Sequence, residues 1–381
     1  MNEPIKLNRK KSRQKVWVFA PFTSTSDSNI EYYCDYSQSL EEYKKVFSKL
    51  NMEWVWKEIR LDNIDETIND IRNEQALSGQ APIVLNLCDG DEINGAPGIS
   101  VIKKLEKNGI IYTGADAAFF EITTSKIPMK QAFDSMKLPT PEWEIIEEVD
   151  ETIFERLGKP IIVKPAVSGG SMGVGTKNVV YDLKQLSQAI SEIRNGYRGW
   201  NLTIDGIIAE KYIAGREFTV LISGSCNKPK SAHIYPAVER VFHPSLPPDQ
   251  RFLSFDRLWE IYEEEASMPG QDNFYEYAPV EQTLQDELKG LSWAAFCSTG
   301  GKGYTRVDIR QDEKTGKLFV LEVNAQCGIS EDENYTSIGA ILRFSGTSFH
   351  ELVQEIILDA KQRALRKPNL VTVAQNKKAR A

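Results

Sequence analysis

A chain of 381 residues, 41% hydrophobic and 26% charged, has the make-up of an ordinary globular protein with one large core or two to three smaller ones. Its formal net charge of −8 argues against a nucleic-acid-binding body, because neutralising phosphates needs a basic surface. No run of about 18 apolar residues occurs and no apolar stretch follows the basic start, so neither a membrane span nor a secretory signal is expected and the reading is cytoplasmic. Cys34, Cys88, Cys226, Cys297 and Cys327 lie far apart in no metal-like spacing, and their odd number suits a reducing compartment. With only His233, His243 and His350, a zinc site or a Ser-His-Asp triad has little to draw on.

The chain opens with the basic segment KLNRKKSRQK, read as a flexible arm over residues 1–15, with contact to an acidic partner as the other reading. KVWVFAPF then predicts a strand, SLEEYKKVFSKL a helix, WVWKEIRL a strand, IDETINDIRNEQAL a helix, PIVLNLCDG a strand and GISVIKKLEKNG a helix ending at glycine. This alternation predicts a parallel sheet covered by helices, with ligands at the carboxyl ends of its strands. That rule points to the loops APFTSTSDSN and CDGDEINGAPG, which equally fit plain solvent-exposed turns. Near residue 125 the texture changes: SKIPMKQAFDSM is helical, LPTPEWEII leads into a strand, and KPIIVKPAVSGGSMGVGTKNVVY reads as strand, loop, strand. LKQLSQAISEIR is a helix, and IIAEKYIAGREFTVLISG gives two strands around a glycine turn, with a second boundary near 210. An acidic loop near EIYEEEASMPGQDN, short strands, a final amphipathic helix in SFHELVQEIILDAKQRAL and a basic tail over 366–381 complete the chain.

The loop in IIVKPAVSGGSMGVG holds four glycines and two serines, more than a connection needs given the entropy glycine costs. It is not a Walker A loop, because Thr176 and Lys177 follow Gly175 in the wrong order. The dinucleotide fingerprint fails as well, since Asn178 stands where its last glycine belongs. The sequence after it is strand-like, so the loop is either a flap whose amides fold over phosphates or a mobile hairpin.

A second constellation lies in GYTRVDIRQDEKTGKLFVLEVNAQCG. Strand periodicity puts Thr305, Val307 and Ile309 on one face and Arg306, Asp308 and Arg310 on the other. After the turn QDEKTG, Phe319, Leu321 and Val323 share one face while Glu322 and Asn324 share the opposite one. In an antiparallel hairpin Asp308 then lies across from Glu322 and Asn324. Two carboxylates and an amide oxygen, without His or Cys, suit Mg²⁺ that also bridges substrate phosphates. The plainer reading is a surface salt-bridge ladder with Arg306 or Arg310.

Together these features resemble the ATP-grasp superfamily, in its D-alanine–D-alanine-ligase-like branch. The resemblance runs through NLCDG, GIIYTGADAAFFEITTSKIPMKQAF, LPTP, IIVKPAVSGGSMGVG, IIAEKYIAGREFTV, GYTRVDIR and LEVNAQCGIS, roughly residues 85–360. It implies an α/β protein with an α+β lid in three parts: an N-terminal parallel-sheet domain (16–125), a central lid (126–210) and a C-terminal catalytic part (211–365). It implies ATP and two Mg²⁺ ions as cofactors, a set that also accommodates Mn²⁺, with a small-molecule carboxylate donor and amine acceptor, no nucleic acid or membrane partner, and a homodimer. By matching position, Lys126 and Lys164 contact the nucleotide phosphates, and Gly169, Gly170, Ser171 and Gly173 close over them. Glu210, Lys211, Tyr212 and Ile213 form the strand meeting adenine, and Glu217 holds the ribose hydroxyls. Asp308, Glu322 and Asn324 are the metal ligands, while Arg306 and the amide of Gly328 face the transferred phosphoryl group and the oxyanion.

The implied reaction makes an acyl phosphate from ATP, which an amine then displaces to form an amide. Several residues depart from the family pattern. Ser125 precedes Lys126 in place of an aspartate; Ser168 replaces a glutamate and Gly170 a serine; Leu258 stands where an ATP-facing lysine is expected. No histidine precedes His233 to orient substrate. Glu331, Asp332 and Glu333 fall where a free α-carboxylate would be received, which favours a cationic acceptor or is simply a solvated turn. The reading is therefore a ligase acting on small amino acids or related metabolites other than D-alanine pairs. The alternatives are an ATP-binding regulator without turnover, and a ligase modifying a peptide or protein terminus through the acidic 260–265 and 331–333 stretches.

Overall fold

Five successive residues of β1 (Lys15–Pro21), Val16 to Ala20, are buried, the mark of a strand covered on both faces. In the computed structural model, which describes residues 14–23 and 34–365, β1 is central to a parallel sheet. The expected basic ends lie outside those residues, and so does the first ligand loop from residue 24 on. Lys15, assigned to the arm by sequence, opens β1 instead and reaches Glu74 at 2.9 Å.

After β1 come α1 (Ser37–Leu50), β2 (Glu53–Ile59), α2 (Ile64–Ser78), β3 (Ile83–Asn86), α3 (Ile99–Lys107) and β4 (Ile111–Tyr112), in the sheet order β2-β1-β3-β4. Helix α1 turns Tyr43, Val46 and Phe47 inward at helical spacing. Helices α4 (Ala117–Thr124) and α5 (Lys126–Ser135) lead to a four-stranded antiparallel sheet. It contains β5 (Trp143–Ile145), β6 (Ile161–Pro165), β7 (Val179–Val180) and β8 (Ile207–Lys211) in the order β5-β8-β6-β7, with α6 (Ile153–Leu157) and α7 (Leu183–Asn195) packed on it. The Asp182 carboxylate caps α7 by accepting from the Gln185 amide at 2.9 Å.

The largest sheet has the order β12-β11-β9-β13-β14, with β10 paired to β9. Its members are β9 (Gly215–Ser225), β10 (His233–Ile234), β11 (Val238–Phe242), β12 (Tyr275–Pro279), β13 (Lys302–Asp312) and β14 (Leu318–Ala325). Helices α8 (Phe255–Trp259), α9 (Gln282–Ser298), α10 (Ser337–Ser345) and α11 (Phe349–Ala364) complete the chain. Leu352, Val353 and Ile356 of α11 share one core with Val16, Val18 and Phe47, so the last helix packs back on the first sheet. Among the described residues no helix is long and apolar enough to cross a membrane.

Candidate active site

The β13–β14 hairpin is antiparallel, with Arg306 opposite Asn324 and Asp308 opposite Glu322. Thr305, Val307 and Ile309 are fully buried on the far face, as the period of two requires. On β14 the period breaks. The register shifts after Asp308, so that Ile309 pairs with Val320, and the core residues are Val320 and Val323 in place of the expected Phe319, Leu321 and Val323. A bulge adds one residue to one strand and re-aims its neighbours, which alternation alone does not reveal. Glu322 and Asn324 stay on the Asp308 side regardless.

Asn324 Nδ2 donates to Asp308 Oδ2 at 2.9 Å and to Glu322 Oε1 at 3.2 Å. Arg306 Nε lies 3.1 Å from both Asp308 oxygens, and Thr219 Oγ1 donates to Oδ1 at 2.9 Å. Burial pushes the Asp308 carboxyl up, against the pull of Arg306 and with a further push from Glu322. Burial also acts on Glu322, but Lys126 and Arg306 hold it below the usual range. Among the described residues no three His, Cys, Asp or Glu side chains cluster around a metal position. The donor set is two carboxylates and an amide, and a half-turn of that amide replaces the Asn324 N–H by an oxygen. Two crowded carboxylates, one of them held toward its neutral form, are a place a hard divalent cation fits.

Beside them stand three lysines. Lys126 opens α5, where its amide donates to Ala166 at the end of β6 at 2.8 Å. Burial lowers its ammonium's pKa, Glu322 opposes that, and among the described residues it makes no ion pair. Lys164 on β6 pairs with Glu210 on β8. The other Glu210 oxygen lies 2.7 Å from Lys130, which is 1% exposed and also donates to Thr140 Oγ1 at 2.9 Å. Burial would raise Glu210, yet Lys130 and Lys164 hold it down at about 2. Sequence reasoning gave Glu210 a backbone role and missed Lys130. The available signal was a lysine one helical turn after Lys126, beside the buried Met129 and Phe133.

The glycine loop joins β6 to β7 as expected, and Gly169 and Gly170 are exposed. Gly170, Ser171 and Gly173 all have positive φ, and a side chain on Gly173 would meet Leu202 at 2.4 Å. The segment over 252–265 grips this loop. Ser171 Oγ donates to the Leu253 carbonyl at 2.9 Å, and Trp259 Nε1 to the Gly170 carbonyl at 3.1 Å. The Phe255 amide donates to Val174 at 2.9 Å and the Thr176 amide to Glu265 at 2.8 Å, while Lys177 reaches Glu264 at 2.7 Å. The acidic stretch is thus a latch on the lid. Glu263 pairs with Arg198 and Glu265 with Arg257 at 3.0 Å, leaving little of it for docking a partner.

The strand leading from Glu210 continues through exposed Lys211 to Tyr212 and Ile213, both buried. Tyr212 packs on Phe252, and its hydroxyl donates to Pro248 at 3.0 Å. Glu217 departs from its expected role. It is 6% exposed, with one oxygen paired to Arg240 and the other accepting from Arg310 at 3.1 and 3.2 Å. Arg310 also donates to the carbonyls of Ile213, at 2.7 Å, and Arg251. Glu217 is therefore the hub of a buried ion cluster and not an open acceptor for ribose. A carboxylate this far from water needs its charge neutralised, and two arginines across the strands do so. Leu258 is half-buried and supplies no cation.

At the other end of the hairpin Gly328 is exposed, and among the described residues its N–H has no partner. The acidic cluster beyond it is turned away from the acceptor role. Glu331 pairs with Lys45 of α1 at 2.9 Å, and Asp332 accepts from the amides of Asn334 and Tyr335 at 3.0 and 3.2 Å. Glu42 of α1, 3% exposed, accepts from the Ser330 hydroxyl at 2.7 Å. The cluster fixes its loop to the first domain, so its charge does not argue against a free α-carboxylate.

Residues 130–358 match the family model described as the D-ala D-ala ligase C-terminus. The D-alanine–D-alanine ligase of Saccharophagus degradans is 28% identical over 65% of this chain and 68% of that protein. The enzyme of that name from Xanthomonas axonopodis is 28% identical over 72% of this chain and 76% of its own length. Among solved structures, D-alanine–D-alanine ligase from Bacillus anthracis complexed with ATP superposes with a TM-score of 0.64 at 18% identity, covering 93% of this chain and 99% of that one. The ligase from Coxiella burnetii gives 0.62 at 14% identity over 95% and 99%. Fold and family together define a carbon–nitrogen bond-forming ligase that uses ATP and Mg²⁺ on a small-molecule carboxylate and an amine. The chain belongs to the D-alanine–D-alanine-ligase-like branch of the ATP-grasp superfamily.

Proposed function

We propose that this ligase activates the carboxylate of a small amino acid as an acyl phosphate and transfers it to the amine of a second one, a pair other than two D-alanines. The observation that carries the reading is the meeting of Asp308, Glu322, Asn324, Arg306 and Lys126 in one cleft beside the glycine loop. Asp308, Glu322 and Asn324 hold Mg²⁺, which when bound neutralises charge developing on the phosphates. Lys126 and Lys164 face the phosphates, and Gly169, Gly170, Ser171 and Gly173 cover them. Lys211, Tyr212 and Ile213 line the base.

The donor carboxylate oxygen attacks the γ-phosphorus, the bond from phosphorus to the ADP oxygen breaks, and ADP leaves. Arg306 stabilises the transferring group. The acceptor nitrogen then attacks the carbonyl carbon, and the Gly328 N–H supports the oxyanion. Phosphate departs with the carbon–oxygen bond's electrons, and the nitrogen loses a proton. No protein nucleophile is required. The latched lid excludes water, which would hydrolyse the acyl phosphate.

Ser168, Gly170 and Leu258, and the absence of a histidine before His233, support a different substrate pair. The same reading divides the chain at about 125 and 210 and makes it a cytoplasmic homodimer, whose mass light scattering checks. A pairwise screen of L- and D-amino acids, following phosphate release and product mass, tests the function. A dipeptide mass appearing with ADP is the expected result, and preference for paired D-alanine would overturn the substrate assignment. A protein that releases no phosphate with any pair would overturn the ligation itself.

A further inference from the structure

The parallel sheet delivers one acidic side chain into the cleft that the reaction above leaves unused. Asp89 follows β3, at the carboxyl end of a strand in the middle of that sheet, where ligands of such folds gather. The Asn86 side chain turns the chain there by accepting from the Cys88 amide at 3.2 Å. Beyond it the loop closes on itself through a Gly90–Gly98 bridge, and a side chain on Gly90 would meet the Ala96 carbonyl at 2.2 Å. Asp89 is therefore held at the base of a rigid loop.

This loop is also tied to the catalytic hairpin. Gln326, two residues beyond Asn324 and 1% exposed, donates from Nε2 to the Cys88 carbonyl at 2.7 Å. The neighbouring thiol of Cys327 feels the charges of Arg306, Asp308 and Asp89 together, so it sits between them, next to Gly328. Tyr36 and Tyr304 also lie within the field of Asp89. The Asp89 side chain is accessible, but it opens into the cleft with dense protein around it, and that burial pushes its carboxyl up to about 6. Among the described residues no lysine, arginine or histidine pairs with it, whereas Asp308, Glu210 and Glu217 each have a cation.

We propose that Asp89 is the counter-ion for the ammonium group of the donor amino acid, and so a specificity-determining residue of this ligase. The inference rests on the acyl-phosphate reading above. An α-amino acid carries its charges at opposite ends. Its carboxylate belongs at the cation-rich end, with Arg306 and Lys126, and Asp89 offers its ammonium a negative charge beyond Gly328. Holding that nitrogen as an ammonium also keeps the donor from serving as its own acceptor.

The test uses the full-length protein with ATP, Mg²⁺ and hydroxylamine, which replaces the acceptor and traps the acyl phosphate as a hydroxamate. Donors are the L- and D-amino acids and the matching acids without the amino group. Asp89→Asn is expected to raise KM for the preferred amino acid by about 30-fold or more, the loss typical of removing one partner of a charge pair. KM for ATP and for the des-amino acid should change less than about twofold, and Asp89→Glu should recover part of the loss. An unchanged amino-acid KM overturns the proposal and leaves the ligase reading standing, as does an equal rise for both donor classes. Wild-type protein that traps no hydroxamate from any donor overturns both.

Discussion

The nucleotide end and the amino-acid end of the cleft are built on opposite principles. At the nucleotide end buried carboxylates are neutralised within the protein: Glu210 between Lys130 and Lys164, Glu217 between Arg240 and Arg310. At the amino-acid end the Gly328 amide lacks a protein partner among the described residues, and Asp89 lacks a cation. A buried ion cluster fixes geometry, at a desolvation cost its partners must offset. Open groups await a ligand. The part of the cleft shared by the family is thus internally completed, while the part that selects the substrate is completed by the substrate.

The largest effect should come from breaking the boundary between the two ends. Glu322→Gln removes a metal ligand and should cost about 3 kcal/mol of barrier or more, read as a fall of at least about 100-fold in kcat of ADP release, with the fold retained by circular dichroism. Near-normal turnover in the folded variant contradicts the metal assignment.

Next in size is Arg310→Met. It strips Glu217 of one cation and leaves the Ile213 and Arg251 carbonyls without their donor, so urea unfolding should show a loss of about 3 kcal/mol. Pairing it with Glu217→Gln should recover part of that loss, and strictly additive losses would break the picture of a charge cluster.

Lys130→Met sharpens the same contrast through pH. Glu210 is depressed in the folded protein to about 2 from an ordinary 4.5. Its contribution is therefore present above about pH 4.5 and lost as pH falls toward the folded value. Without Lys130 burial is opposed by Lys164 alone, so acid unfolding followed by tryptophan fluorescence should begin at a higher pH. An unmoved acid transition would show that Lys130 does not hold Glu210.

Smaller still is Trp259→Phe, which removes the hydrogen bond to Gly170 and should loosen the lid by about 1 kcal/mol. Faster proteolysis within the glycine loop and a few-fold higher KM for ATP would report it. Lys45→Ala breaks an exposed pair with Glu331 and should shift stability by less than about 1 kcal/mol in thermal unfolding. A larger loss would mean that this contact holds the first domain in place.

The sequence made the hairpin ligands legible because they follow from local rules: a period of two, a tight turn, and carboxylates on one face. The glycine loop was legible for the same reason. What escaped needed partners far along the chain. Glu217 meets Arg310 across β9 and β13, strands that sequence spacing cannot pair in advance. Lys130 meets Glu210 only once α5 lies against β8, and the acidic stretch near Glu264 shows itself as a latch only when Lys177 arrives beside it. The bulge after Asp308 shifted the core from Phe319 and Leu321 to Val320, a one-residue change that composition does not mark.

The central claim is that this cleft phosphorylates a carboxylate before any amine attacks. ATP labelled with ¹⁸O at the β,γ-bridge, incubated with Mg²⁺ and one amino acid but no acceptor, tests it directly by positional isotope exchange. Scrambling of the label that requires the amino acid and vanishes in Glu322→Gln is the result this mechanism predicts. Dipeptide formation without any such scrambling, or scrambling that ignores the amino acid, would contradict it.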